Sequence, residues 1–216
     1  MGKIFYIMGK SSSGKDTIYR KLQESENLKL GRLVLYTTRP IRDGEKEGQE
    51  YHGALKVLKT IFSYDYLWVN VRVTGGAYGC MCNFSRNGYG FFTSYRDPNL
   101  SATLDVYKKA ADYVRNFEAG KRDMTKYIIG TISGIDQPLE PSALGERSFH
   151  AYQSGITVEM IQKERNQVLD ATDETIRSLA DYIESMMGAG TVCAIGNDRK
   201  LEEEKEIFKQ VCSLNQ

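Results

Sequence analysis

Residues 71–84 read VRVTGGAYGCMCNF, and the fold turns on how this stretch is divided. It holds a cation (Arg72), a turn of two glycines (Gly75 and Gly76) and a tyrosine (Tyr78) that opens a run with strand character. Before it, Leu55, Leu58, Ile61, Phe62 and Leu67 fall near helical spacing and predict a helix over 54–70. After it, 78–85 and 89–96 are two strand-like runs with Arg86-Asn87-Gly88 between them, the pattern of a β-hairpin. Asp97-Pro98-Asn99 ends the second run.

Further along the chain the pattern becomes mainly helical. Ser101 can cap a helix to about Ala119, with Leu104, Tyr107, Ala111, Val114 and Phe117 on its buried side and Gly120 at its end. Met124, Tyr127, Ile128 and Ile132 predict a short helix before a loop over 134–141, and His150 sits on a helix. Further helices follow Thr157 and Thr172, the latter stopping at Gly188. Residues 191–195 (TVCAI) read as a last strand, Gly196-Asn197-Asp198 as a turn and 200–211 as a terminal helix. Strands set among helices predict α+β layers.

Toward the N-terminus lies a different signal. Two short apolar runs, 3–8 (KIFYIM) and 32–36 (RLVLY), flank a glycine-rich loop and a helical pattern from Lys15. This strand, loop, helix and strand order opens a P-loop-type β-α-β fragment. The loop, GKSSSGKD over 9–16, meets G-x-x-x-x-G-K with Gly9, Gly14 and Lys15. Asp16 stands where a hydroxyl normally ligates Mg²⁺, and Thr17 follows. Gly9, Ser13, Gly14, Lys15, Asp16 and Thr17 are therefore the candidates for binding ATP phosphates, with Mg-ATP as the implied cofactor. Backbone N–H groups at a helix N-terminus converge on phosphate oxygens there, and a lysine adds a point charge. The plainer alternative is a Gly/Ser-rich turn capping an ordinary helix.

Residues 36–52, YTTRPIRDGEKEGQEYH, place Thr-Thr-Arg-x-x-Arg-x-Gly-Glu in an order that resembles the guanylate kinase family. The resemblance implies that Arg39, Arg42 and Tyr51 hold the phosphate of GMP, and two forked guanidiniums and a phenol suit a dianion. It covers 1–52 and stops there, so this segment is expected to be an incomplete kinase. About fifty residues cannot close a P-loop sheet or position two nucleotides.

The text GALKVLKTIFSYDYLWVNVRVTGGAYG and the hairpin ending SYRDPNL resemble the C-terminal part of insulinase/pitrilysin-type zinc metallopeptidases, in particular presequence protease-like members. This resemblance covers 53–216. It implies that Arg72 and Tyr78, six apart, reach a peptide held at a zinc site carried by the N-terminal half of such proteins. There they would fix the substrate backbone or stabilise a developing oxyanion. The competing readings are a surface ion pair for Arg72 and a half-buried strand residue for Tyr78. Trp68 and the tyrosines are expected in the core and on the hairpin faces. Cys80 and Cys82 are expected as buried thiols.

The zinc ligands of that family come from an inverted H-x-x-E-H motif. This chain has 2 histidines, His52 and His150, and no such motif, so no zinc site is expected and the metal half must come from a partner in trans. A net charge of +1 gives no argument for a nucleic-acid partner or an acidic membrane surface. No apolar run approaches the roughly 18 residues of a membrane span. The 4 cysteines, Cys80, Cys82, Cys193 and Cys212, form no C-x-x-C, and the cytoplasm is the expected location.

Three functional readings follow. The chain is a substrate-binding part of a zinc peptidase-like protein with a nucleotide-phosphate-binding segment, catalytically incomplete alone. It is instead an ATP-dependent guanylate kinase-like protein, or a gene fusion without a selected joint function.

Overall fold

The computed structural model describes residues 51–86, 88–188 and 191–212. The chain divides into two units, Met1–Glu47 and Gly48–Gln216, and the described residues belong to the second. The expected strands over 3–8 and 32–36 and the phosphate loop between them lie outside the described residues.

Helix α1 (Ala54–Ile61) organises the unit. Ala54, Val57, Leu58 and Ile61 recur at helical spacing, and all four are fully buried. The helical path then continues in wider turns with i→i+5 hydrogen bonds, over Phe62–Tyr66 and Trp68–Thr74. It therefore runs four residues past the expected end at 70 and carries Arg72 in its last turns. α1 packs on β1 (Gly79–Phe84), α4 (Lys121–Ile135), α6 (Val158–Leu169) and α7 (Asp173–Arg177).

β1 pairs antiparallel with β2 (Gly90–Tyr95), with Gly79 opposite Tyr95, Cys82 opposite Phe92 and Phe84 opposite Gly90. Alternation sends Cys80, Cys82, Phe84 and Phe92 toward α1 and leaves Met81, Phe91 and Tyr95 exposed on the other face. Phe62 is the aromatic hub beneath the hairpin. Its ring centre lies 5.4 Å from that of Phe92, edge-on, 5.6 Å from Tyr66 and 6.3 Å from Phe84.

The helices beyond the hairpin differ from the sequence reading in several places. The single helix expected over 101–119 is two, α2 (Ser101–Lys108) and α3 (Ala110–Arg115), broken at Lys109. Ser101 is the first helical residue rather than the cap, and its N–H and hydroxyl both donate to the Glu204 carboxylate. Tyr107, Ala111, Val114 and Phe117 are buried as expected, while Leu104 is half-buried. α4 passes through Gly130 and Gly134 before ending at Ile135, so the loop begins later than expected. α5 (Pro141–Gln153), which contains His150, buries none of its residues.

Thr157 caps α6 by accepting the Met160 N–H at 3.3 Å, and Thr172 and Thr175 cap α7 reciprocally. The helix expected from Thr172 to Gly188 breaks before α8 (Ala180–Gly188). Residues 191–195 form no strand and pair with neither strand of the hairpin, and Ile195 is 81% exposed. The terminal helix is shorter than expected, α9 (Asp198–Glu203) followed by one 3₁₀ turn (Lys205–Ile207). The architecture is nonetheless mixed helix and strand, as the layering predicts.

One buried ionic cluster ties the hairpin to the helices. Glu164 of α6 is 4% exposed and accepts from Lys56 Nζ (2.9 Å), Arg86 Nε (2.5 Å) and Arg86 Nη2 (2.7 Å). Gly53 lies against the same turn, where an added Cβ would fall 2.2 Å from the Glu164 carbonyl oxygen.

Candidate functional site

Arg72 lies on the wide helical segment Trp68–Thr74. In an i→i+5 turn residues four apart nearly superpose, and the Arg72 guanidinium carbon sits 3.8 Å above the centre of the Trp68 ring. No carboxylate lies within ion-pair distance of Arg72 among the described residues, so it is not one half of a surface salt bridge there. Trp68 is 42% exposed, which corrects the expectation that it packs in the core. Its indole is a platform for the cation.

The Gly75-Gly76 turn connects Arg72 to Tyr78. The Arg72 carbonyl accepts the Gly76 N–H at 2.9 Å and the Val71 carbonyl accepts the Ala77 N–H at 3.1 Å, closing the helix end. A Cβ at Gly75 would fall 2.5 Å from the Val71 carbonyl oxygen, and Gly76 has φ +80. Only glycine fits both positions at low cost. The Asn99 side-chain amide donates to the Gly75 carbonyl at 2.5 Å, pinning the turn from the segment that follows β2 at the open end of the hairpin. Asp97 holds that end in shape, accepting the Asn99 N–H (2.9 Å) and the Thr103 hydroxyl (2.7 Å). Asp97-Pro98-Asn99, expected only to end the second strand, thus also holds the turn before the first.

Tyr78 donates its N–H to the Tyr95 carbonyl at 3.1 Å, so its backbone is fixed by the hairpin. Its side chain is 66% exposed, more open than a half-buried strand residue. Tyr78 and Arg72 thus stand at the two ends of one hydrogen-bonded turn, Tyr78 exposed and Arg72 half-buried over Trp68. The neighbouring thiols are quiet. Burial pushes the Cys80 thiol up, with Arg72 pulling against it and Asp97 adding to the rise. Burial drives Cys82 up to about 12, so neither is an activated thiolate.

Tyr51 begins the described residues. Its ring packs against the core, and burial together with the Glu164 charge pushes its phenol up to about 12. The Arg86 guanidinium carbon lies 5.7 Å from its ring centre. Gly9, Ser13, Gly14, Lys15, Asp16, Thr17, Arg39 and Arg42 lie outside the described residues. His150 is exposed on α5 with Glu146 Oε1 3.8 Å from its Nε2, and His52 Nδ1 accepts the Ala54 N–H at 3.2 Å. No three His, Cys, Asp or Glu side chains cluster to hold a metal among the described residues.

The family model described as the PreP C-terminal domain matches residues 43–198. The chain belongs to this family. The guanylate kinase model matches residues 1–67, so two family matches share one chain and overlap within 43–67. Among similar proteins, Protein HypA of Clostridium perfringens is 44% identical over 167 residues, covering 77% of this chain and 17% of that protein. Presequence protease 1, chloroplastic/mitochondrial, of Arabidopsis thaliana is 35% identical over 156 residues, covering 72% of this chain and 14% of that protein. The mitochondrial presequence protease of Emericella nidulans is 34% identical over 162 residues, covering 74% and 15%. The chain spans roughly one sixth of the length of these relatives. Arg72, Tyr78, Asn99 and the buried Glu164 all fall within the stretch matched to the PreP C-terminal domain.

Proposed function

We propose that this chain is the peptide-holding part of a presequence protease-type peptidase and is catalytically incomplete by itself. The observation that carries the reading is the pair Arg72 and Tyr78. They stand at the two ends of a turn clamped by Asn99, in a chain of the PreP C-terminal domain family, and Arg72 has no carboxylate partner among the described residues. An arginine and a phenol so fixed can donate to the carbonyl oxygens of an extended peptide. The zinc and its ligands come from another polypeptide carrying the N-terminal half. The cytoplasmic location belongs to the same proposal, in keeping with four free thiols. No helix among the described residues is long and apolar enough to cross a membrane.

The test is reconstitution. Peptide cleavage is expected when the full chain is mixed with the zinc-bearing N-terminal half of a related presequence protease, and not with either alone. Arg72→Ala and Tyr78→Phe each lower kcat/KM in the mixture. Robust peptide hydrolysis by the pure chain, abolished by chelator, overturns the incompleteness.

The guanylate kinase match favours a second reading, in which Gly9 to Thr17 bind ATP phosphates with Mg²⁺ and Arg39, Arg42 and Tyr51 bind GMP. ATP or GMP then raises the melting temperature of the chain, and Lys15→Ala removes the ATP shift. Two family matches in one chain also favour a fusion history without a selected joint function. Sequencing the genomic locus across codons 52 and 53 decides that point.

A further inference from the structure

Arg96 follows β2 and has φ 47, and it is the non-glycine residue with positive φ among those described. Left-handed backbone is the province of glycine and asparagine, because an L side chain crowds the following carbonyl. An arginine held there implies that the direction of its side chain matters. That direction lays the guanidinium carbon 5.8 Å from the Tyr78 ring centre and 5.4 Å from that of Tyr95. The two rings meet each other edge-on, with centres 6.0 Å apart and planes at 82°. The backbone joins in, since the Tyr78 N–H is shared between the Tyr95 carbonyl (3.1 Å) and the Arg96 carbonyl (3.4 Å).

Two ordinary roles for Arg96 are already taken. The adjacent Asp97 carboxylate is occupied by Asn99 and Thr103, and no carboxylate lies within ion-pair distance of Arg96 among the described residues. Termination of β2 requires no cation, and glycine would turn the chain there at lower cost.

We propose that Arg96 is a positioning residue that holds the exposed Tyr78 ring in one orientation, so that its hydroxyl meets a backbone carbonyl of a bound extended peptide. The inference rests on the reading of Arg72 and Tyr78 as a peptide-holding pair. Without the cation–π contact, Tyr78, a residue 66% exposed, keeps only its edge-on neighbour Tyr95 to hold the ring and samples more orientations. With it, the phenol is set before the peptide arrives, which lowers the ordering cost of binding.

Two measurements on the full chain separate this inference from the reading beneath it. The first places 3-fluorotyrosine at position 78 and records its ¹⁹F spectrum without peptide. Arg96→Gly, which suits the left-handed backbone and so keeps the fold, is expected to shift and narrow the resonance. Arg96→Lys, which keeps charge but not the planar stack, falls between. An unchanged resonance in Arg96→Gly overturns the stack itself, whatever the chain binds. The second follows a fluorescein-labelled unstructured peptide by anisotropy. Arg96→Gly weakens binding about two- to fivefold, the worth of an exposed cation–π contact, and adds no loss once Tyr78 is Phe. Equal losses in the two backgrounds overturn positioning. If Tyr78→Phe alone leaves binding unchanged, the peptide-holding role of Tyr78 falls and takes the positioning role with it.

Discussion

Removing Arg86 tests whether the ionic cluster at Glu164 holds the hairpin to the helical body. Glu164 has 5% of its side chain exposed, whereas Arg86 and Lys56 keep 33% and 30% of theirs, so the cost of a deletion depends on which member is removed. Arg86→Ala strands a buried carboxylate with Lys56 alone and is expected to cost about 3 kcal/mol, the low end for breaking a buried pair. Glu164→Gln leaves two cations that can turn to solvent, and its cost is the smaller loss of charge-assisted hydrogen bonds, about 1.5 kcal/mol. For a domain of this size the Arg86 change lowers Tm by about 6–12 °C. Burial alone would push the Glu164 carboxyl up, but hydrogen bonds from Arg86 and Lys56 outweigh it and hold it below the ordinary 4.5. A carboxyl lowered in the folded state contributes stability that is complete above its ordinary value and lost as pH falls through the lower one. The gap between wild type and Arg86→Ala should therefore be full near neutrality and close on acidification, as Glu164 takes up its proton below the ordinary 4.5. Urea titrations at several pH values, followed by circular dichroism, measure it. A loss below about 0.5 kcal/mol at pH 7 would place Arg86 among neutral surface positions. A gap that widens on acidification would reverse the sign of the electrostatic argument. Either result refutes the reasoning.

Trp68 is the chain's 1 tryptophan and lies under the Arg72 guanidinium, so its fluorescence reports on the candidate site without labelling. Arg72→Ala should change the emission intensity with the far-ultraviolet circular dichroism unchanged, and peptide addition should perturb emission in wild type but not in this variant; a silent Trp68 in both experiments counts against a peptide at Arg72. Gly75→Ala would drive a Cβ to 2.5 Å from the Val71 carbonyl oxygen, and backbone cannot yield there as a flexible side chain would. Its cost should be about 2 kcal/mol or more in urea titration, with Asn99→Ala costing about 1 kcal/mol through the same turn.

The parts of the fold that the sequence made legible are those where a local pattern and a tertiary partner agree. Leu55, Leu58 and Ile61 mark a helix face, and the face is buried because β1, α4, α6 and α7 all meet it. The hairpin was equally readable, since its turn and alternation are written within twenty residues. Residues 191–195 show the opposite case. Thr191, Val192 and Ile195 have strand propensity, but a strand exists only where it pairs, and these residues pair with neither β1 nor β2. The break at Lys109 and the early end of α9 are likewise tertiary outcomes that no periodicity encodes. α5 is helical with Leu144, Phe149 and Tyr152 exposed, so its apolar residues did not mark it as a buried face.

At the candidate site the division is sharper. The identities and spacing of Arg72 and Tyr78 are sequence facts, and the family resemblance singled them out. What gives the spacing its meaning is geometry. The helix runs past its expected end in wide turns, and that register lets Arg72 stack on Trp68, a residue that propensity assigned to the core. The turn between the pair is then fixed from a distance, by an Asn99 amide 24 residues away from the carbonyl it binds. The pair is consequently a joint product of three segments, the helix end, the glycine turn and the loop after β2. A substitution in any one should disturb the pair even where it touches neither Arg72 nor Tyr78. The SYRDPNL stretch carries both the pin at Asn99 and the stacked Arg96, so that loop should prove nearly as sensitive as the two residues it supports.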